Sequence, residues 1–578
     1  HDRVPTTVAR WTGGERNVTW RPVTDLVDNH ASGGPTGHQA TDTFPRQYAR
    51  TQRFTLGEPR DLVVSPDGQR VVFARSRGGS DPVNCLYVAD VGFGREDLTA
   101  DPVELLGGAL SADLPPEERA RRERAREGAS GITTFATDDA VTVAAFALAG
   151  RLFGAALVSR RSREIPVVGP VFDPRPDPHG RRIAYVCGRT LRIAELDGSS
   201  RALAAEPGDP DSVSWGSADF VAAEEMNRSR GYWWSPDGES IAACRVDVAD
   251  VPTWHISNPA APADPPTAIR YPAAGTTNPA VTLHVWPLDG GDPVEVAWDR
   301  DRYPYLAKVH WTEHALTLVV QSRDQRDLAV LAAEPDTGTT TIVFEDRDEA
   351  WVELVPGTGA MVGPDMLVMC ADRDGVRRLV VDGEPVSPAD VQVRAVVGAT
   401  LDQVIVTGNP IDDATVQHVY RWTVGGAFEA LTDEPGVHTA VARGGTIVFR
   451  TLTLDEPGGR WRLPDGYQLV HHGERPLVRP NPHLTVHTES APSTVVLLPH
   501  DHDGSPLPVL LDPYGGPHAQ RVVRSHNAHL TSQWFADQGF AVVVADGRGT
   551  PGRGSAFERG VLHDLAAGVL DDQVAALE

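Results

Sequence analysis

Long apolar runs are missing from this sequence: no stretch of about 18 apolar residues, the length a membrane-spanning helix needs, occurs in its 578 positions. The start, from His1 onward, has neither a basic opening nor an apolar core, so no signal peptide is read there. Positive charge is also short. Lys and Arg number 53 against 79 Asp and Glu, a formal net charge of −26, which disfavours nucleic acid or an anionic membrane as partner. Cysteine is scarce: Cys85, Cys187, Cys244 and Cys370 stand far apart in or beside strand-like runs, without a Cys-x-x-Cys. They read as buried thiols in a reducing compartment, so the expected location is cytoplasmic, and a disulfide framework or zinc site is not expected.

The length itself exceeds one ordinary core and implies several domains or one large repeat architecture. Residues 1–45 carry Gly, Pro, Thr, Asp and His without periodicity and read as an irregular extension. Short β-rich runs separated by polar turns follow. The stretch 54–75 holds two strands around Ser65-Pro66-Asp67-Gly68, and the device returns at 177–186 and 234–246, with weaker copies at 310–320, 363–370, 401–408 and 443–450. A recurring hairpin that cannot bury its faces singly is the mark of a propeller. The expected fold class is therefore an all-β propeller of about eight blades over residues 46–478, followed by an incomplete α/β-hydrolase domain over 479–578. Two insertions interrupt the blades, near 100–130 and 250–285. Within the first, 111–128 reads as a helix charged nearly all round, with Pro115 and Pro116 at its start and Gly128 past its end. After 479, the order is strand, strand, helix, apolar strand 541–545, helix, in the manner of a parallel sheet.

Three groups of residues carry candidate chemistry. Glu224 and Glu225 are adjacent carboxylates in the segment 220–234, preceded by an apolar lead-in and followed by Tyr232-Trp233-Trp234. They read either as a solvated helical turn or as a receptor for an ammonium group, which relieves their mutual repulsion. Tyr514 stands on the turn of Asp512-Pro513-Tyr514-Gly515-Gly516-Pro517, and reads as a half-buried tyrosine with a wet hydroxyl or as an oxyanion donor. The third group holds weaker motifs. Gly547-x-Gly549-x-x-Gly552 follows a strand but lacks the acidic residue of a dinucleotide site, and His500-Asp501-His502-Asp503-Gly504 reads as a polar turn in preference to a metal site. No cofactor or metal is expected. Gly-x-Ser-x-Gly, the elbow that exposes a hydrolase serine, does not occur at all.

In order and spacing, the Glu-Glu and Tyr-Trp-Trp segment, the Arg270-Tyr271-Pro272 stretch with its later Asn278-Pro279, the Asp512–Pro517 turn and Asp546-Gly547-Arg548-Gly549 resemble the dipeptidyl peptidase IV group of the prolyl oligopeptidase family. The arginine-rich 122–132 segment is similar to that of the cytosolic members. This resemblance implies a serine-type dipeptidyl aminopeptidase that releases Xaa-Pro or Xaa-Ala dipeptides from peptides with a free N-terminus. It assigns Glu224 and Glu225 to the substrate ammonium, Arg126 beside them to a substrate carbonyl, and Tyr514 to the oxyanion hole, and it leaves a homodimer open. It also implies that the triad Ser, Asp and His lie beyond Glu578, so that the chain reads as a fragment that is inactive alone. Strand 541–545 is then expected to lack neighbours and to form an exposed apolar edge. Two alternatives stay open: an acylaminoacyl or oligopeptidase-type serine peptidase, which has no need of the glutamate pair, and a non-catalytic propeller that binds proteins.

Overall fold

The computed structural model describes residues 7–10, 20–22, 42–108, 114–208, 210–488 and 491–578. Between Arg60 and Arg462, eight antiparallel sheets of three to five strands follow one another in chain order. Each is a blade. The first spans 60–100, with a returning strand at Ser130–Gly131 added in parallel, and the others begin near 136, 172, 213, 305, 360, 391 and 437.

What holds the blades in a ring is apolar burial between neighbours. Their strands are rich in Val, Leu, Ile and Ala and are covered on both faces, as in Arg70–Ser76 and Leu316–Gln321. Eight apolar clusters sit at the eight blade-to-blade junctions. One of them closes the circle: Phe73 and Tyr87 of the first blade pack with Val448, Trp461 and Leu469 of the last. At roughly 1.5–3 kcal/mol for each large side chain fully buried, these junctions are the main favourable term in the domain.

The turns that signalled the blades are built as their residues dictate. Gly68 and Gly238 take φ of 69° and 72°, the left-handed conformation that glycine adopts without strain. In both, the glycine N–H donates to the carbonyl of Ser65 or Ser235 at 2.9 Å. The weaker copies are also inner hairpins, at 305–321, 360–373, 391–410 and 437–452. The second blade alone gave no signal in sequence. Its inner turn has Val141 at φ 54° and no Pro or Gly. Buried Asp138 holds it instead, accepting from the amides of Thr142 and Val143 at 2.6 and 2.8 Å.

The C-terminal part is one sheet in the order 20–22, 7–10, 508–511, 541–546, 493–497, 483–485. Only 508–511 and 541–546 run parallel. Strand 541–546 therefore has a partner on each side and is buried along most of its length. This corrects the expectation that it forms an open edge, because both neighbours lie earlier in the chain and the helix Leu530–Ala536 covers it. Within 1–45, expected to be irregular, residues 7–10 and 20–22 form a hairpin on the outer side of this sheet. Helix Phe44–Arg50 is docked to the same portion through Phe44 and Phe54, which pack with Val478 and Leu530.

The two portions meet through polar contacts. Glu558, 4% exposed, accepts from Arg377 at 2.8 Å, from Gln392 at 3.2 Å and from the Gly552 amide at 3.2 Å. Arg559 donates to Asp372 at 2.6 Å. Asn409 donates to the Gly552 carbonyl at 2.9 Å, and a Cβ at Gly552 would come within 2.2 Å of the Arg394 guanidinium. The glycines of 547–552 are thus close-packing positions against Asp572, Val561 and Arg394, with no room for a dinucleotide phosphate.

Candidate active site

Blade four is built around a break. Val213–Trp215 and Tyr232–Trp234 both pair antiparallel with the strand Ser240–Asp247, and the chain between them leaves the sheet. A bridge between Ser217 and Arg230 pins the base of this excursion. It carries the short helix Phe220–Glu225, which puts Glu224 and Glu225 at its exposed C-terminal end. Asp219 caps that helix, its side chain accepting from the Ala222 amide at 3.0 Å. The same carboxylate pairs at 2.9 Å with Arg228, both side chains being under a tenth exposed. Arg228 also donates to the carbonyls of Leu306 and Arg230 at 3.0 Å. The glutamates are therefore presented by a buried, fully partnered support.

The arginine-rich helix comes to the same place. It spans Pro116–Arg124, and just past its end Arg126, at φ 49°, reverses the chain two residues before Gly128; residues 111–113 of its expected range lie outside the described residues. Glu118 fastens it, accepting from Arg121 at 2.7 and 2.8 Å and from Arg122 at 2.6 Å. Burial raises the proton affinity of Glu118, but Arg121 and Arg122 outweigh it and hold the carboxyl below its ordinary value. Arg124 lies with its Nε 3.5 Å from Glu224 and its guanidinium 5.4 Å over the Phe220 ring.

This differs from the expectation for Arg126. Among the described contacts it is Arg124 that meets the glutamate pair. Arg126 lines a separate cavity of about 1000 Å³ with Arg53, Glu58 and Arg450. Arg126 lies past the end of the helix, at a left-handed φ of 49°, whereas Arg124 is its last residue. Two aromatic residues complete the cluster. Tyr271, from Arg270-Tyr271-Pro272, packs edge-on against Phe220 at 5.2 Å, and Trp254 lies 5.0 Å from Tyr271. Both belong to the hairpin 253–270 and its exit, the second insertion. The Arg-Tyr-Pro motif was visible in sequence, but its contact with Phe220 was not.

Tyr514 follows the strand Pro508–Leu511 and is 42% exposed. Asp512 sets the turn, accepting from Arg521 at 2.6 Å and from the Ser532 hydroxyl at 2.9 Å. Gly515, at φ 65°, bends the chain against Val569, and the Tyr514 ring lies over Gly516. The hydroxyl is thus carried at the end of the parallel pair of strands, next to the helix Ala567–Ala575. His500 pairs with Asp537 at 3.0 Å, and Asp503 accepts from the Ser505 amide, so the His500–Gly504 stretch is a polar loop.

With this geometry in place, comparison with known proteins is decisive. Residues 152–451 match the model of the dipeptidyl peptidase IV (DPP IV) N-terminal region, and 526–578 match that of the prolyl oligopeptidase family. The chain belongs to the dipeptidyl peptidase IV group of the prolyl oligopeptidase family. A probable dipeptidyl-aminopeptidase B of Aspergillus oryzae is 25% identical over 459 residues, covering 69% of this chain and 50% of that protein. A probable dipeptidyl peptidase 4 of Neosartorya fischeri is 25% identical over 450 residues, covering 69% of this chain and 58% of its own length. The chain thus spans about half the length of the curated relatives it matches. The crystal structure of Porphyromonas gingivalis dipeptidyl peptidase 4 superposes with a TM-score of 0.73 at 19% identity, over 94% of this chain and 78% of that one. That likeness establishes the fold, a propeller joined to a hydrolase portion.

Proposed function

We propose that this member of the family is the substrate-holding part of a serine-type dipeptidyl aminopeptidase that releases Xaa-Pro or Xaa-Ala dipeptides. One observation carries the reading: Glu224 and Glu225 stand exposed on a helix that is held out of its blade by the buried Asp219–Arg228 pair, with Arg124 alongside. The same pair ties the excursion to the ring, since Arg228 also donates to the Leu306 carbonyl of the next blade. In the proposed mechanism the glutamates clamp the substrate ammonium through charge-assisted hydrogen bonds. Arg124 takes the carbonyl role that the sequence resemblance assigned to Arg126, using the rigid donor fork of a guanidinium. Tyr514 donates its hydroxyl to the alkoxide that develops in acyl transfer, an interaction worth roughly 3–4 kcal/mol at the transition state. Anchoring the N-terminus leaves one peptide bond at the right distance from a nucleophile, which is why dipeptides are released.

The test uses the enzyme complete with its nucleophile. Glu224→Gln or Glu225→Gln is expected to lower kcat/KM on a Xaa-Pro chromogenic amide by about 10- to 100-fold, the weight of one charged hydrogen bond. Hydrolysis of a small activated ester, which has no ammonium, should be unaffected. An equal loss on both substrates refutes the clamp. Arg124→Ala and Arg126→Ala, compared on the same amide, decide between the two arginines. No proposed role supplies a nucleophile, so residues 1–578 by themselves are expected to release no amine. Labelling of one of their serines by a reactive phosphonate, with turnover, would overturn that expectation.

A further inference from the structure

The ring of blades encloses a cavity of about 660 Å³ at the ends of its inner strands, and its wall is unlike the rest of the protein. The chain carries a net charge of −26 and has one lysine in its whole sequence, Lys308. Yet blades three, four and five bring Arg175, Arg230 and His310 to it, with Lys308 two residues before His310 on the same strand. Arg175 is neutralised by Asp173, at 2.8 Å. Lys308 is occupied by the Val355 carbonyl and by Thr358 Oγ1, and burial pushes it down to about 8. Burial, with Lys308 and Arg230 near, pushes His310 down to about 4, so it is neutral.

Arg230 is the cation left over. Its Nε and Nη2 both donate to the Tyr232 carbonyl, at 3.0 and 2.8 Å, and its guanidinium lies 5.3 Å over the Trp233 ring. Among the described residues, no carboxylate forms an ion pair with it. The end-on edge of its fork, Nη1 with the second Nη2 hydrogen, is therefore unpartnered while Arg230 lines the cavity. Burial and the neighbouring Arg175 oppose its charge and outweigh the smaller favourable influence of Asp173. A guanidinium keeps its proton in proteins, so the relief open to it is an anion. Beside it the lining includes half-buried Trp311, while Trp233 and Trp234 reach the cavity only at their edges, being 6% and 8% exposed and packed into the junctions on either side of blade four. At the mouth Arg443 lies 3.7 Å from Asp139 and is offset by it, and Glu313 leaves that rim with one net negative charge.

We propose that the propeller channel is a binding site for a monoanionic carboxylate with an apolar body, such as the C-terminal end of a short peptide. The carboxylate is bound end-on by Arg230 and the body lies toward the half-buried indole of Trp311. One unbalanced guanidinium matches one negative charge. A phosphate dianion has no second free cation to meet, since Arg175 and Lys308 are already engaged. The volume falls in the range of small-ligand sites and suits a peptide of a few residues.

The test needs no turnover and so stands apart from the peptidase reading. N-acetyl-Gly-Phe and its C-terminal amide, both lacking the ammonium that Glu224 and Glu225 would attract, are titrated into the protein by calorimetry. The acid is expected to bind about tenfold tighter than the amide, the margin of a charge-assisted hydrogen bond. Arg230→Met should abolish that preference with the thermal midpoint retained. Equal binding of acid and amide, or a preference that survives Arg230→Met, overturns the proposal, as does displacement of the acid by inorganic phosphate at equal concentration. If Arg230→Met does not fold, a crystal soaked in the acid decides. Carboxylate density at the Arg230 fork supports the site, and density elsewhere or none refutes it.

Discussion

Asp219 does two things with one carboxylate, capping the Phe220–Glu225 helix and pairing with Arg228. Removing one partner of a buried pair leaves the other charge uncompensated, so Asp219→Ala is expected to cost about 3–5 kcal/mol in chemical denaturation. A loss below 1 kcal/mol would mean that the pair is not the support of the glutamates. The glutamates were legible through their company, the apolar lead-in and Tyr232-Trp233-Trp234, since an adjacent pair of glutamates is by itself an ordinary surface feature. Their support was not, since nothing near Arg228 in the chain announces that it turns inward to meet Asp219 and Leu306. The thiols allow a second check at this scale. Burial pushes Cys85 and Cys244 up to about 11 and Cys370 up to about 12. Cys187 is half-buried, which corrects the expectation that all four are buried. In timed alkylation of the native protein at pH 8, Cys187 should react first and Cys244 and Cys370 only on unfolding. Early labelling of Cys370 would contradict the packing of its blade.

At the scale of elements, the helix Pro116–Arg124 has no buried residue, so packing cannot hold it and its ion pairs must. Glu118 is the centre of these. Its proton affinity is lowered on folding, so its contribution is fully present above the unfolded value of about 4.5 and is lost as pH falls through the lower folded value. Cleavage by an acid-tolerant protease within 114–128 should therefore be slow at pH 6 and rise only below about pH 4.5, and Glu118→Gln should be cleaved at both. A flat profile would show that the helix is held by something else. The helix was visible in sequence through Pro115, Pro116 and its charges. Its end was misplaced, because Gly128 signalled the stop while Arg126, a residue with no such preference, takes the left-handed position. Among the described contacts Arg124, the last residue of the helix, is the arginine beside Glu224.

For the whole molecule, the contact between propeller and hydrolase portion turns on Glu558, with Arg377 and Gln392 on one side and the Gly552 amide on the other. Glu558→Ala leaves Arg377 buried beside Asp372 alone, a loss expected at about 3–5 kcal/mol. Scanning calorimetry should then resolve a separate, earlier transition for the C-terminal portion. A single transition at the wild-type midpoint would show that the portions are coupled elsewhere.

What the sequence determined by itself was local and repetitive. Turns such as Ser65–Gly68 and Ser235–Gly238, strands apolar on both faces and a late change to a parallel-sheet texture sufficed for the propeller and the hydrolase portion, because each blade is written in consecutive residues. Even the exception obeys this logic, since the second blade hides its turn by using Asp138 and Val141. Tertiary structure alone decided everything made by residues far apart. It placed Arg124 of one insertion and Tyr271 of another on Phe220, and gave strand 541–546 both its neighbours. It also closed eight blades so that Arg230, one arginine among many in the chain, became an unpaired charge inside a channel. Pairing, burial and charge balance depend on distances in space, and a linear order of residues does not contain them.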